Sequence, residues 1–323
     1  MTLLNKTRVF FSRLAGPGLG IALLLGSSLA GQAKGPIEIV ADNLEVLRDK
    51  ESARFTGNVV ASQQDMELKS QSLTVHYTNV ENRPKGSQAD ASIRRLEANG
   101  NVSVTTPMGE AQGQSGQYDP TNGQVIMLGN VVLTRDGNKL SGGRLDMNVN
   151  DGEAVLVPSD SGPRVQGRFI QRSASDNGTG VRPVSVVADK LTVDQAKNHA
   201  IFSGRVQLQQ QETRLDTSVL RINFAETTSS TGTVTQEVRS MDALGQVRVT
   251  APFGTATGKT GRYDLKTADL ALNGDVVLVR EKNTLKGQSL LMNVNTGVAR
   301  LTNNKGGTKG GRVRGTFVPE NRN

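Results

Sequence analysis

The chain has 323 residues, 35% of them hydrophobic, with 38 Lys and Arg against 30 Asp and Glu for a formal net charge of +8. That length supports one large domain or two ordinary ones, while the absence of Trp, a total of three Tyr and the lack of aromatic residues interleaved with basic ones exclude a base-stacking nucleic-acid surface. With no cysteine, core burial alone must hold the fold.

The first 33 residues differ from the rest. Lys6, Arg8 and Arg13 precede an apolar run, Leu19-Gly-Ile-Ala-Leu-Leu-Leu25, and a small-residue stretch, Ser27-Ser-Leu-Ala-Gly-Gln-Ala33. This layout predicts a cleavable export signal over 1–33, processed near Ala30 or Ala33. The alternative, a retained anchor, has an apolar run well short of the roughly 20 residues that span a bilayer. Cutting after Ala33 removes three basic and no acidic residues, which leaves 35 against 30 and a net charge of +5. A mildly basic exported chain admits anionic membrane or phosphorylated glycolipid as partners.

From residue 34 onward apolar positions alternate with period two, as in Ile37/Ile39, Leu44/Val46, Met66/Leu68, Leu73/Val75/Tyr77, Val102/Val104 and Leu145/Met147/Val149. That is the spacing of half-buried strands. Turn signals such as Thr121-Asn-Gly123, Asp136-Gly-Asn138 and Asn150-Asp-Gly152 separate the runs, and no amphipathic helical pattern emerges. The predicted fold class is all-β, a meander of many short antiparallel strands with one apolar face.

The pattern occurs twice. Pro36-Ile-Glu-Ile-Val-Ala-Asp42 matches Pro183-Val-Ser-Val-Val-Ala-Asp189; Gly116-Gln-Tyr-Asp119 matches Gly261-Arg-Tyr-Asp264; Met147-Asn-Val-Asn150 repeats as Met292-Asn-Val-Asn295; Arg164-Val-Gln-Gly-Arg-Phe169 matches Arg312-Val-Arg-Gly-Thr-Phe317. The offset stays between 145 and 148 residues, so the two halves are predicted to share one fold with small loop insertions. The expected domains are 34–172 and 183–320, joined by a polar linker over 173–182.

Within each half a glycine recurs in strand context, at Gly57, Gly100, Gly129, Gly204, Gly245 and Gly274. An apolar residue stands two before, a polar residue directly after and Val two after, as in Phe55-Thr-Gly-Asn-Val-Val60. A strand glycine marks a bulge, a bend or a close approach. Counting by twos places each glycine on the inward face, so a curled sheet is predicted whose inner surface of Val, Ile, Leu, Ala and Gly has little bulk to fill its own middle.

The ordered series Pro36-Ile-Glu-Ile-Val-Ala-Asp42, Phe55-Thr-Gly-Asn-Val-Val60, Gly116-Gln-Tyr-Asp119 and a closing Arg-Val-x-Gly-x-Phe strand resembles the OstA/LptA family of periplasmic lipopolysaccharide-transport proteins, once per half. The resemblance implies two tandem open β-jelly-roll domains with a continuous apolar groove, located in the periplasm of a Gram-negative cell. It implies lipopolysaccharide as cargo, inner-membrane and outer-membrane transport components as partners, possible head-to-tail self-association, and neither catalysis nor cofactor. The residues expected to line the groove are Ile37, Ile39, Phe55, Val59, Val102, Val104 and Val131 in the first half. In the second half they are Val184, Val186, Phe202, Val206, Val247, Val249 and Val276. An open roll also exposes strand edges that can take a partner's strand, here around Ile37 and Ile39 at one end and Val313 and Phe317 at the other. Arg164–Ile170 and Val184–Ala188 are the corresponding internal pair, expected at the domain junction.

Enzymatic chemistry finds little footing. The two histidines, His76 and His199, fall at unmatched places in the duplication without a second ligand at metal spacing, and are expected exposed. Gly254-Thr-Ala-Thr-Gly-Lys-Thr260 is one residue short of a phosphate-binding loop, and its sister Gly109-Glu-Ala-Gln-Gly-Gln-Ser115 has no lysine, so it reads as a hairpin. The duplicated acids Asp42/Asp189 and Asp119/Asp264 read as turn caps. Lys305, Lys309, Arg312 and Arg314 form a basic glycine-rich tail whose charge could meet lipid phosphates. A structural or adhesive β-repeat protein with a self-packed interior is the alternative to a lipid carrier.

Overall fold

The structure, a computed structural model, describes residues 36–78, 93–106, 109–135, 137–172, 181–194, 196–228, 234–252, 254–264, 267–293, 296, 298–303 and 311–318. The expected signal over 1–33, most of the expected linker, and Lys305 and Lys309 lie outside these residues.

Among the described residues the alternation is realised as a single antiparallel sheet of twenty strands. The first half contains β1 (Glu38–Val40), β2 (Asn43–Leu47), β3 (Ser52–Gln63), β4 (Met66–Tyr77), β5 (Ile93–Thr106), β6 (Gly109–Asp119), β7 (Gln124–Arg135), β8 (Asn138–Asn148), β9 (Glu153–Val157) and β10 (Val165–Arg172). The second repeats it with β11 (Val181–Ala188), β12 (Lys190–Asp194), β13 (His199–Gln210), β14 (Thr213–Thr228), β15 (Val234–Ala251), β16 (Gly254–Asp264), β17 (Asp269–Arg280), β18 (Asn283–Asn293), β19 (Ala299–Thr302) and β20 (Arg314–Thr316). The one helical element among the described residues is a 3-10 turn, Arg48–Lys50. The all-β expectation holds, with two differences. The central strands are 11 to 18 residues long rather than short, and β11 starts at Val181, inside the expected linker.

The length arises because each central strand is two short runs welded across a bulge. In β3, Thr56 pairs with Ser72 and Val59 with Ser70, so Gly57 and Asn58 together face the single residue Gln71 of β4. The same two-against-one arrangement recurs strand by strand. Gly100-Asn101 faces Gln71 and Gln114, and Gly129-Asn130 faces Gln114 and Gly143. In the second half Gly204, Gly245 and Gly274, each with its following residue, face Ser218, Lys259 and Gln288. Bulges bend the strand that carries them. Aligned in register, they draw one crease across the sheet.

The crease explains the glycines, though not as counted from the sequence. All six have φ between +77° and +84°, and the residue after each has φ between +44° and +51°. The first value strongly favours glycine, and the second is the left-handed region that Asn and Asp tolerate best. A Cβ on Gly100 would stand 2.8 Å from Cβ of Gln71, and one on Gly57 2.9 Å from Cβ of Asp42. Gln71 and Asp42 are exposed side chains. The glycines therefore leave room beneath the outward side chains of the neighbouring strand and do not hollow out the interior.

Outer strands complete the repeat. β1 pairs with β3 beyond the crease and β2 with β3 before it, so the two are one edge strand broken at Asp42. At the far side of the first half, β9 and β10 pair with β8 in the same divided manner. The halves then join directly, for β10 pairs with β11 from Val165↔Ala188 to Arg172↔Val181, and β9 pairs with β12 from Leu156↔Leu191 to Glu153↔Asp194. The sheet thus runs from one half into the other on both sides of the crease.

Candidate functional site

The interior of the creased sheet is the candidate site. Odd-numbered central strands hold their inward phase through the bulge, as Phe55, Val59 and Ala61 do on β3. The strands between them change phase, since the single crease residue takes the place of two. On β4, Leu68 and Ser70 face inward before Gln71, and Leu73 and Val75 after it. Two hydroxyls at the crease serve the backbone there. Ser70 Oγ donates to the carbonyl of Ser72 at 3.1 Å and Thr217 Oγ1 to that of Leu244 at 2.9 Å. Their hydrogen bonding removes the cost of burying them.

The sequence-predicted lining residues all belong to this one apolar cluster, which runs without interruption through both halves. Their exposure differs along its length. Val59, Val102, Val131, Val206, Val247 and Val276 are at most 2% exposed, and Val184, Val186, Phe202 and Val249 are buried as well. Ile37, Ile39, Phe55 and Val104 are half-buried, as are Leu208, Leu215 and Leu278 in the second half. Fully buried and half-buried side chains thus alternate through both halves of the interior. Among the described residues the only buried charged group is Asp194, which sits at the end of β12 and binds Lys197 Nζ at 2.5 Å.

The junction has its own packing. Phe169 and Phe202 meet edge to face with ring centroids 6.4 Å apart, a geometry favoured by the ring quadrupoles. Arg164 Nη1 donates to the carbonyl of Arg205 at 2.7 Å and lies 3.9 Å from Asp189 Oδ1. Arg205 donates through Nε and Nη2 to the same carboxylate at 3.1 and 2.8 Å. Hydrogen bonds from Arg205, followed by the positive charges of Arg205 and Arg164, hold the Asp189 carboxyl below its ordinary range.

Of the residues predicted at partner-strand edges, Ile37 and Ile39 are half-buried against the core, whereas Val313 and Phe317 are exposed. Val313 is 42% and Phe317 70% exposed, while Leu44 and Val46 of β2 stand at 57% and 55%. The sequence reasoning named Ile37, Ile39, Val313 and Phe317 and missed Leu44 and Val46. It also missed Leu73, Leu156, Leu191, Leu220 and Leu272, all at most 3% exposed. The signal was present on β4, where Met66/Leu68 and Leu73/Val75 each alternate but in opposite phase.

The groups weighed for catalysis are placed as follows. His76 lies in β4 and His199 in β13, both half-buried rather than exposed; His76 Nε2 is 3.5 Å from Glu97. Gly254–Asp264 is strand β16, and Lys259 within it pairs with Asp275 at 2.7 Å. Asp119 caps a turn by accepting from the amide of Thr121 at 2.8 Å, as Asp264 does from Thr267 at 3.2 Å. Asp42 and Asp189 do not cap turns. They hold the second residue of the bulge, Asp42 accepting from Asn58 Nδ2 at 2.9 Å. No group of three or more potential metal ligands occurs among the described residues.

These features define an all-β repeat protein whose apolar interior reaches solvent at the edges of its sheet. The chain belongs to the family described as LptA/(LptD N-terminal domain) LPS transport protein, which it matches over residues 38–153 and again over 185–298. An uncharacterised protein of Rhizobium meliloti (strain 1021) is 31% identical over 176 residues, covering 51% of this chain and 92% of that protein. Similarity also extends to the crystal structure of LptH, the LptA homologous periplasmic component of the conserved lipopolysaccharide transport device from Pseudomonas aeruginosa. That likeness has 16% identity and a TM-score of 0.35, and covers 43% of this chain and 96% of that one.

Proposed function

We propose that this protein carries lipopolysaccharide across the periplasm by sheltering the acyl chains of lipid A inside the creased sheet, as one element of a bridge between inner-membrane and outer-membrane transport components. The two halves, 34–172 and 183–320, act as tandem domains of that bridge. Its free edges meet neighbours, further copies of the chain among them. The physical need is plain: removing each acyl CH₂ from water is worth roughly 0.8 kcal/mol, so a many-chained lipid must be covered throughout its path. An interior of Val, Ile, Leu and Phe meets it without a strongly attractive charged position at which cargo would stall. The observation that carries the reading is the single apolar cluster that passes from one half to the other through Phe169 and Phe202.

A second reading has an observation of its own. Val59, Val102 and Val131 are at most 2% exposed, as in a fully self-packed structural protein. A photo-reactive amino acid placed separately at Ile39 and at Val131 distinguishes the two. Lipopolysaccharide adducts at both positions are expected of a carrier whose interior parts to admit acyl chains. Adducts at neither would sink that function, and adducts at Ile39 alone would confine lipid to the N-terminal edge.

A further inference from the structure

Inward residues of the limb that carries β1, β10 and β11 form rows across the strands, and the row farthest from the crease is its lip. Arg135 and Asn138 face each other in that row, as do Phe169 and Val184, and Arg280 and Asn283. Arg135 follows the inward residues Val131 and Leu133 at two-residue spacing, and Arg280 follows Val276 and Leu278 in the same way. Arg135 is half-buried and Arg280 exposed. Among the described residues no other charged side chain occupies this row or the next row toward the crease. The lip is thus apolar or neutral except for one arginine in each half.

Each arginine has the same two neighbours. Asn138 or Asn283 stands directly opposite on one side, and on the other a glycine opens the adjacent strand, Gly109 with φ +145° or Gly254 with φ +130°. A Cβ on Gly254 would run into the carbonyl of Val279 and stand 3.3 Å from Cα of Arg280, so β16 brings no side chain to that flank. The amide of Val318 donates to Asn283 Oδ1 at 3.1 Å. That bond turns the oxygen toward the strand and leaves Nδ2 to donate beside Arg280. The duplication keeps both residues while the outward pair beside them changes, Thr134 and Lys139 becoming Val279 and Thr284. Solubility alone would be served by any charge in either phase.

We infer that Arg135 with Asn138, and Arg280 with Asn283, are two anion seats on the lip, each taking a phosphate of an acylated headgroup whose chains lie inside, beyond Leu133 or Leu278. The guanidinium fork matches phosphate bidentately, and the asparagine amide adds a neutral donor. From β7 the limb passes through β8, β10, β11, β13, β14, β15 and β16 before it reaches β17. At the usual strand separation that is about 38 Å, so the seats serve two lipid molecules rather than two phosphates of one. Between them Phe169, packed on Phe202, fills the interior. Contact with water keeps the attraction at each seat weak, which lets a headgroup leave as well as arrive. This rests on the carrier reading proposed above and adds to it where the headgroup sits and how many lipids one chain holds.

Native mass spectrometry on lipid-extracted protein, produced from the complete reading frame, counts the bound molecules. The probes are lipid A with its phosphates and the same lipid after their removal. The wild type is expected to bind two phosphorylated molecules per chain. Arg135→Gln and Arg280→Gln should each weaken one of the two about tenfold, as loss of a charge-assisted hydrogen bond does, and the double variant should weaken both. Phosphate-free lipid should bind wild type and variants alike, which also shows that the variants fold. Inorganic phosphate in large excess should not displace the lipid, because it brings no acyl chain. A single lipid per wild-type chain, an equal loss with phosphate-free lipid, unchanged binding in the double variant, or displacement by inorganic phosphate would each overturn the inference. Phosphate-free lipid bound as tightly as phosphorylated lipid by the wild type leaves the carrier standing and removes the seats, whereas neither lipid bound by any form removes the carrier reading itself.

Discussion

The junction between halves and the two free edges are made from the same residues in two states. Phe169 is 3% exposed at the junction and its sister Phe317 is 70% exposed at the C-terminal edge, although each ring leans back over a glycine of its own strand, Gly167 or Gly315. Leu191 and Leu44 divide in the same way. The same strand surface is thus covered at the junction and exposed at the two outer edges, where unpaired edge strands are open to pairing.

If that contrast is right, equal substitutions should have unequal effects at sister positions. The largest difference is expected for Phe169→Ala, which removes a ring buried against Phe202 and should cost about 3–5 kcal/mol. Phe317→Ala should stay within about 0.5 kcal/mol, as surface substitutions usually do. Leu191→Ala against Leu44→Ala comes next, at about 2–5 kcal/mol for the buried member and little for the exposed one. Urea denaturation of all four variants measures both pairs at a protein concentration low enough to keep copies apart. Equal losses at sister positions would mean that the junction adds no packing beyond what an isolated half already has.

Much of this was readable in the sequence where residue identity is dictated by the backbone. The six glycines marked a bulge, a bend or a close approach, and a φ near +80°, which admits little else, makes them bulges; the duplication pointed to Arg164–Ile170 and Val184–Ala188 as the junction pair, and those segments do pair. Phase was harder. Counting by twos put Gly57 on the inward face, and the structure turns it beneath Asp42, although the inward phase of β3 resumes at Val59. Leu73 on β4 escaped the lining residues because that strand changes phase at its single crease residue Gln71, while Val59 on β3, which keeps its phase, was found. The pairing of β9 with β12 was not legible at all: Ala154-Val-Leu156 and Leu191-Thr-Val193 carry nothing that marks them as neighbours until β10 and β11 have brought them together.

The glycines beneath the two rings sharpen the comparison at smaller scale. A Cβ on Gly167 would stand 2.8 Å from Phe169 Cε2 and 3.2 Å from Leu140 Cδ2; a Cβ on Gly315 would stand 2.9 Å from Phe317 Cε2 and 3.2 Å from Leu285 Cδ2. The local clash is the same, but only one ring can move away. Phe169 is fixed by Phe202, so Gly167→Ala should cost about 1–3 kcal/mol, the range of overpacking in a filled site. Phe317 can swing into solvent, and Gly315→Ala should fall within about 0.5 kcal/mol. Denaturation midpoints compare them, and a large loss for Gly315→Ala would show that the C-terminal ring is held even without a neighbour.

The smallest effect separates the joints by acid. At the junction Asp189 accepts two hydrogen bonds from Arg205 and faces Arg164, which lowers its carboxyl pKa; at the free edge Asp42 has the neutral amide of Asn58 in the place of Arg205. A carboxyl whose folded pKa is depressed binds its proton more weakly folded than unfolded, so its stabilisation is present above the ordinary carboxylate range and is lost as pH falls through the folded value. Near neutral pH the denaturation midpoint should therefore owe nothing to this group's titration, and the loss should set in as pH falls into the ordinary carboxylate range, where the unfolded carboxyl takes up its proton, and be complete below the folded value. Asp189→Asn should lower the midpoint slightly at neutral pH and flatten that acid limb, with the effect kept small because the group lies near solvent and salt screens it. An acid limb unchanged by Asp189→Asn would assign the acid sensitivity to other carboxylates, of which Asp194, lowered by its hydrogen bond with Lys197, stands next along the same edge.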